Sequence, residues 1–86
     1  MNTTDKIIDK TYEFTLVYSG PTELTDELED AIFEAGCGDA LLGIVDGQMI
    51  LDFNRKASSL REALFSAIND VERTGLPIRL VRFASV

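Results

Sequence analysis

The chain has 86 residues, of which 45% are hydrophobic and 27% charged, a balance typical of one folded domain and too apolar for a disordered segment. Its 15 acidic and 8 basic residues give a net charge of −7, which repels a nucleic-acid backbone and favours basic partners. The single cysteine excludes an internal disulfide. With no bilayer-length apolar run and no secretory signal pattern, we expect a cytoplasmic protein without membrane contact.

Residues 1–10 are mostly polar and are predicted to form a flexible arm ahead of a single domain over residues 11–86. From Thr11 to Ser19, apolar and polar side chains alternate with the period of two that is typical of a strand. A Gly-Pro pair then ends this strand.

A first helix is predicted from Glu23 to Ala35, with Thr22 as its N-cap and Gly36 as the left-handed residue that ends it. Its apolar residues recur at spacings of three and four, which places them on one stripe. The stripe consists of Leu24, Leu28, Ala31, Ile32 and Ala35.

The dipeptide Asp46-Gly47 predicts a tight β-hairpin, because a type I′ turn needs positive φ at both central residues. That turn fixes the pairing of the two strands, beginning with Val45 opposite Gln48. Six apolar side chains then share one side of the hairpin: Ala40, Leu42, Ile44, Met49, Leu51 and Phe53.

Ser59 and Glu62 have the spacing of a capping box, which predicts the start of a second helix. Its stripe consists of Leu60, Leu64, Ala67, Ile68 and Val71. Gly75 is predicted to end this helix, and Ile78 to Val86 has the composition of a last strand, apolar on both sides.

This order of elements predicts an α+β fold, the ferredoxin-like βαββαβ sandwich, with a four-stranded antiparallel sheet and both helices on one face. The opposite face of the sheet then carries exposed apolar side chains: Val17, Leu41, Val45 and Ile50. Because such a face favours burial against another surface, we expect a homodimer that forms through these residues or through a sheet edge.

Cys37 is the first candidate for a reactive side chain. A reactive thiol needs a neighbouring cation, a base or a helix N-terminus, whereas Cys37 follows a helix C-terminus between Glu34 and Asp39 in a chain without histidine. We therefore expect a small residue in a turn. One cysteine and no histidine also argue against a zinc site, and no calcium-loop spacing occurs. No enzyme activity and no cofactor are predicted.

The first helix carries acidic residues and no basic ones. Two interpretations are open: a solvated outer face, or a docking surface for a basic protein partner. The partner-binding residues would be Glu23, Asp26, Glu27, Asp30 and Glu34. Arg55, Lys56 and Arg61 lie near the start of the second helix and could pair with these acids.

The stretch SGPTELTDELEDAIFEAGC, Ser19 to Cys37, resembles the opening of an ACT-type regulatory domain, with its strand, glycine-containing turn and helix ending in Ala-Gly. ACT-type domains bind amino acids where two copies meet. The resemblance implies a ligand turn at Gly20, Pro21, Thr22 and Leu24.

A longer stretch, Tyr12 to Arg82, resembles small bacterial domains of the form FTLxxSG…LTDELEDAxFEAGC…DG…LDF…SLxEAxxSAIxDVE. Such domains are joined to, or encoded beside, helix-turn-helix regulators and are thought to be antitoxin-like. The resemblance implies a regulatory role. The sequence thus predicts a non-catalytic protein-interaction module without direct nucleic-acid binding, with an amino-acid sensor and an acidic inhibitor that mimics nucleic acid as alternatives.

Overall fold

The computed structural model describes residues 9–20 and 23–85, which form an α+β domain with two helices and a four-stranded antiparallel sheet. The strand order is β2-β3-β1-β4. The elements are β1 (Lys10–Ser19), α1 (Asp26–Glu34), β2 (Ala40–Val45), β3 (Gln48–Ala57), α2 (Leu60–Glu72) and β4 (Arg79–Ser85). Their sequence along the chain is the predicted one. Most of the predicted arm, residues 1–8, lies outside the described residues, and Lys10 already belongs to β1.

The hairpin between β2 and β3 has the predicted turn and register. Asp46 and Gly47 both have positive φ, 52° and 77°, as a type I′ turn requires. Val45 pairs with Gln48, and Leu42 pairs with Leu51. A shift by one residue would turn every side chain of the hairpin to the other face, so this agreement also fixes which residues face the helices.

The core lies between the sheet and both helices. Alternate residues of the central strands, β1 and β3, supply its sheet side, and Phe14 stacks on Phe53 with 5.2 Å between ring centroids. The buried members are Phe14, Leu16, Tyr18, Leu28, Ile32, Cys37, Met49, Leu51, Phe53, Ala63, Ala67 and Val71. Burial of the larger apolar side chains stabilises the fold by about 1.5–3 kcal/mol each.

Helix α1 begins later than predicted. Its N-cap is Thr25, whose hydroxyl accepts a hydrogen bond from the backbone N–H of Leu28 at 3.1 Å. The predicted cap, Thr22, lies outside the described residues, and Leu24 precedes the helix with its side chain exposed. The helical spacing of Leu24 was therefore misleading. Gly36 has the predicted positive φ, at 107°.

Helix α2 begins at the predicted cap, where the Ser59 hydroxyl accepts from the backbone N–H of Glu62 at 3.1 Å. The other half of the predicted capping box differs, because the Glu62 carboxylate accepts a hydrogen bond from the hydroxyl of Ser58. Gly75 follows the helix with φ of 71°.

Strand β4 contains an irregularity that explains why its sequence is apolar on both sides. Val17 pairs with Arg82, whereas the next residue, Tyr18, pairs with Leu80, so that Val81 is the extra residue of a bulge. Leu80 and Phe83 consequently lie on the helix side of the sheet although they are three positions apart.

No helix among the described residues is long and apolar enough to cross a membrane.

Candidate functional site

The four residues predicted for the open sheet face differ widely in exposure. Leu41 is 75% exposed and Val45 is 56% exposed, whereas Ile50 is partly buried. Val17 is only 1% exposed, although it lies outside the core between sheet and helices. Its cross-strand neighbours are Ile50 on β3 and Arg82 on β4, so it is flanked on both sides. The exposed apolar surface therefore lies along the edge strand β2 and does not include Val17.

The predicted acidic residues lie on the outer side of α1 and just before it. Asp26, Glu27, Asp30 and Glu34 belong to the helix, Glu23 precedes it, and all five are exposed. The buried side of the helix is formed by Leu28 and Ile32. The arginine that the sequence suggested as a partner for these acids, Arg55, makes its ion pairs elsewhere, as described below.

A shallow depression of about 270 Å³ separates α1 from β2. Phe33, 68% exposed, stands beside it on the helix, and Leu41 stands beside it on the strand. Two acids of α1, Glu29 and Asp30, complete its rim, with Ile32, Cys37, Ala40 and Leu42 as the remaining lining residues. We call Glu29, Asp30, Phe33 and Leu41 the α1–β2 surface. Phe33 was missed at the sequence level, but a large aromatic residue off the apolar stripe was the available signal.

The turn suggested by the ACT-type resemblance lies beside a second depression, of about 220 Å³. Gly20 and Glu23 line it, whereas Leu24 does not, and Pro21 and Thr22 lie outside the described residues. Its other lining residues are Thr25, Leu28, Leu76, Pro77 and Ile78. A Cβ at Gly20 would stand 2.9 Å from the Pro77 carbonyl oxygen, so the close approach of these two segments requires glycine there.

Arg55 is the centre of a polar cluster that the sequence analysis did not predict. Its Nε–H donates to Asp39 Oδ2 at 2.8 Å, and Nη2 donates to Asp39 Oδ1 at 3.0 Å and to the Gly36 carbonyl at 2.9 Å. Nη1 donates to Ser66 Oγ at 3.0 Å and to Asp70 Oδ2 at 2.9 Å. The five N–H groups of the guanidinium therefore have five acceptors. We call these five residues the Arg55 cluster.

The cluster joins three parts of the fold. Arg55 belongs to β3, Gly36 and Asp39 to the loop between α1 and β2, and Ser66 and Asp70 to α2. The guanidinium also lies 5.0 Å from the ring centroid of Phe53, and hydrogen bonding to Asp39 raises the Arg55 pKa further above its ordinary value. A sequence signal did exist: Met49, Leu51 and Phe53 face the helices, and Arg55 continues that alternation.

Arg73 adds a second link between α2 and the end of α1. Its Nη2 pairs with Asp70 and also donates to the carbonyl of Ala35 at 2.9 Å. The carboxylate of Asp70 is thus shared by two arginines, one at each oxygen. Since every one of these groups is engaged in holding elements together, the cluster has the character of a structural clamp.

Cys37 lies in the core at 2% exposure, between the Arg55 cluster and the depression beside α1. Burial, followed by the nearby charge of Asp70, raises the pKa of its thiol to about 11. A thiol with so high a pKa is almost entirely protonated at neutral pH and is a poor nucleophile. The placement supports the interpretation of Cys37 as a packing residue in a turn.

Tyr18 has a hydroxyl group that forms no hydrogen bond with the described residues. Among the side chains that the structure describes, its hydroxyl is buried without a hydrogen-bond partner. Burial, then the charges of Glu72 and Cys37, raises the pKa of Tyr18 to about 12.

Within residues 9–20 and 23–85, no group of three or more His, Cys, Asp or Glu side chains is placed to hold a metal ion.

Comparisons with protein-family models, with curated proteins and with solved structures give no match to this chain.

Proposed function

We propose that this domain is a non-catalytic protein-interaction module of regulatory, antitoxin-like type in the cytoplasm, and that it binds its partner through the α1–β2 surface. We also propose that its fold is ferredoxin-like. Two features support the fold assignment: the strand order β2-β3-β1-β4 inserts β3 between β1 and β2, which are joined through α1, and the core contains residues of both helices.

The observation that carries the functional proposal is the exposure of Phe33 and Leu41 beside an edge strand. Leu41 pairs with Asp52 and points to the sheet face away from the helices, whereas Phe33 lies on the helix side, so the two residues flank the β2 edge from both sides. Large exposed apolar side chains at such an edge favour contact with another surface. Within the described part of the chain, no strand pairs with the outer side of β2, so its backbone groups are also available for strand addition.

The charge of α1 favours a basic partner. The helix has five acidic residues in nine and no basic residue. Glu29 and Asp30 lie on the rim of the depression, so a cation bound there would approach both carboxylates. An inhibitor that mimics nucleic acid would use the same acids, and would differ in capturing a basic enzyme in a strongly salt-dependent way.

Two chemically capable groups hold structural positions, which supports a non-catalytic role. The N–H groups of Arg55 all contact fixed protein acceptors, and the thiol of Cys37 is buried with a raised pKa. Neither group presents a free reactive atom to a bound molecule.

The test is quantitative affinity capture from native cells with the wild-type domain and with a Phe33→Ser, Leu41→Ser double variant. We expect the double variant to lose the specific partner at least tenfold, because both apolar anchors of the surface are removed. Phe65→Ser on α2 is the matched control, since Phe65 is a similarly exposed phenylalanine on another helix. Equal capture by all three proteins would contradict the proposal.

A second candidate, an ACT-like amino-acid sensor, has one observation in its favour: the depression of about 220 Å³ beside Gly20 and Glu23. Glu23 suits an amino group, but none of the lining residues is basic, so the carboxylate of an amino acid would have to bind backbone N–H groups or a second copy. A thermal-shift screen against amino acids tests it, because a ligand at 100 times its Kd stabilises by about 2.7 kcal/mol. An unchanged Tm with every amino acid would rule this function out.

A further inference from the structure

We infer that the partner of the α1–β2 surface is a second copy of this chain, which presents its β4 edge, so that copies associate head to tail. The inference rests on the proposed function, because it names the partner of the same surface. Three independent properties of the two edges support it: strand direction, side-chain placement and charge.

The strand directions are compatible without any rotation of the second copy. Each of the three neighbouring pairs in the sheet is antiparallel, so β2 and β4, at its two edges, run in opposite directions. A second copy placed beside the first in the same orientation therefore brings its β4 antiparallel to β2. The result is a continuous antiparallel sheet with all helices on one face.

The side chains at the two edges are complementary. Phe83 of β4 pairs with Leu16, which places it on the helix side of the sheet, yet it is 52% exposed. The depression between α1 and β2 lies on the same side, with Ile32, Cys37 and Leu42 in its lining. Phe83 of one copy would thus enter the depression of the next and contact Phe33. The bulge at Val81 restricts the regular pairing to residues 82–85, so the contact is short.

The charges select this head-to-tail pairing over a symmetric one. β4 carries two exposed basic residues, Arg79 and Arg82, which pair with Ser19 and Val17 and therefore lie on the sheet face away from the helices. The acids of α1 nearest the β2 edge, Glu29 and Asp30, lie on the helix side. Pairing β2 with β2 would bring two acidic helices together, and pairing β4 with β4 would bring the arginines together. Like charges side by side disfavour both symmetric contacts, whereas β4 against β2 keeps the arginines of one copy and the acids of the next on opposite faces of the sheet, without a like-charge contact.

The experiment mixes two variants, each blocked at a different edge. Leu41→Lys places a cation on the β2 edge, where it repels Arg82 of an incoming β4. Phe83→Glu places an acid on the β4 edge, where it repels Glu29 and Asp30. Both positions are exposed, so folding should be retained, which circular dichroism and Tm verify. Sedimentation velocity is measured over a wide concentration range.

We expect the wild type to form species of two copies and larger as concentration rises, and each blocked variant alone to remain monomeric. A 1:1 mixture of the two variants should form a complex of two copies and nothing larger, because each retains the one edge that the other lacks. Phe65→Ser should associate like the wild type. If either variant unfolds, Val45→Lys or Val81→Glu replaces it at the same edge.

Other outcomes overturn the inference in distinguishable ways. Dimers of Phe83→Glu alone would indicate symmetric pairing through β2. A wild type and mixture that stay monomeric would exclude self-association. If capture of a different protein is then lost in the Phe33→Ser, Leu41→Ser variant, the surface binds a foreign partner and the proposed function stands. If capture is also unaffected, both proposals are wrong.

Discussion

The Arg55 cluster and the α1–β2 surface share the loop of residues 36–39, yet they place side chains in opposite environments. The loop supplies Gly36 and Asp39 to a cluster in which a nearly buried cation has an acceptor for every N–H group, and Cys37 to a depression beside exposed apolar residues. A charge held by so many protein acceptors stabilises the fold, whereas apolar groups left in water gain free energy only when something covers them. The first region therefore serves the fold and the second is available for binding.

Of the substitutions considered, Arg55→Ala should lower the free energy of unfolding most, because it removes the centre of the Arg55 cluster. Its removal leaves the carboxylates of Asp39 and Asp70 without their main partner, and we expect a loss of about 3 kcal/mol in the free energy of unfolding. Urea denaturation followed by circular dichroism measures it. Lys56→Ala, at the exposed neighbouring position, should change the free energy by less than about 0.5 kcal/mol. Equal effects would show that the cluster has no structural role.

Gly36→Ala should destabilise by about 2 kcal/mol, because residue 36 has φ of 107° and an added Cβ would stand 3.1 Å from Asp70 Oδ2. Gly43→Ala is the matched control. Its Cβ would meet nothing within 4 Å, and its φ is not positive, so the same change should be nearly neutral there. Thermal unfolding of both variants checks the difference, and a neutral Gly36→Ala would mean that the loop adapts without cost.

Thr25→Ala should cost about 1 kcal/mol, because it removes the hydroxyl that accepts the Leu28 N–H at the start of α1. Thr25→Ser should retain most of the stability, since serine offers the same acceptor. This pair of variants separates the cap from the α1–β2 surface that the helix carries. Similar loss with both variants would argue for a role of the threonine methyl group instead of the cap.

Tyr18→Phe should leave the free energy of unfolding unchanged or raise it by up to about 1 kcal/mol, because the lost hydroxyl is buried without a partner among the described residues. Its effect should also depend on pH. The unfolded tyrosine releases its proton near pH 10, whereas the folded pKa is about 12, so the wild type loses stability as the pH rises between these values. Urea titrations at pH 9 and 11.5 should show a smaller loss in the variant.

The Phe33→Ser, Leu41→Ser double variant should change stability least, by less than about 0.5 kcal/mol, because both side chains are mostly exposed. Together with loss of partner binding, that result would confirm that the α1–β2 surface acts in recognition and not in folding. A loss of several kcal/mol would instead place these residues in the packing of the domain.

The sequence was sufficient to predict the order of the elements and the pairing within the hairpin, because each depends on local signals. Asp46-Gly47 fixed the turn, and the alternation around it fixed the faces. The start of α1 was misjudged because Thr22 and Thr25 are both plausible caps followed by acids, and Leu24 extends the apolar spacing by chance. Gly20, a few residues before the helix, closely approaches Pro77, and local sequence signals do not reveal such a contact between residues far apart in the sequence.

The Arg55 cluster and the bulge in β4 could not be predicted for a similar reason. Alternation placed Arg55 on the inner side of β3, but its acceptors come from a loop and a helix 11 to 19 positions away. The bulge shifts Leu80 and Phe83 to the same side of the sheet, which no regular period describes. The α1–β2 surface combines residues of a helix and of an edge strand, so the sequence predicted only two of its four members, Asp30 and Leu41, and assigned them to two different surfaces.

The ion pairs of Arg55 with Asp39 and Asp70 can help to identify homologues of this chain. Apolar stripes can be rebuilt from many combinations of Leu, Ile and Val, but loss of one member of this ion-paired trio, in which Arg55 is buried and both aspartates are partly buried, leaves the others unbalanced. Homologues should therefore keep all three ionised residues at these separations, together with glycine at position 36, or have replaced them as a set. The spacing of these residues should therefore identify distant homologues more specifically than the apolar segments on either side of it.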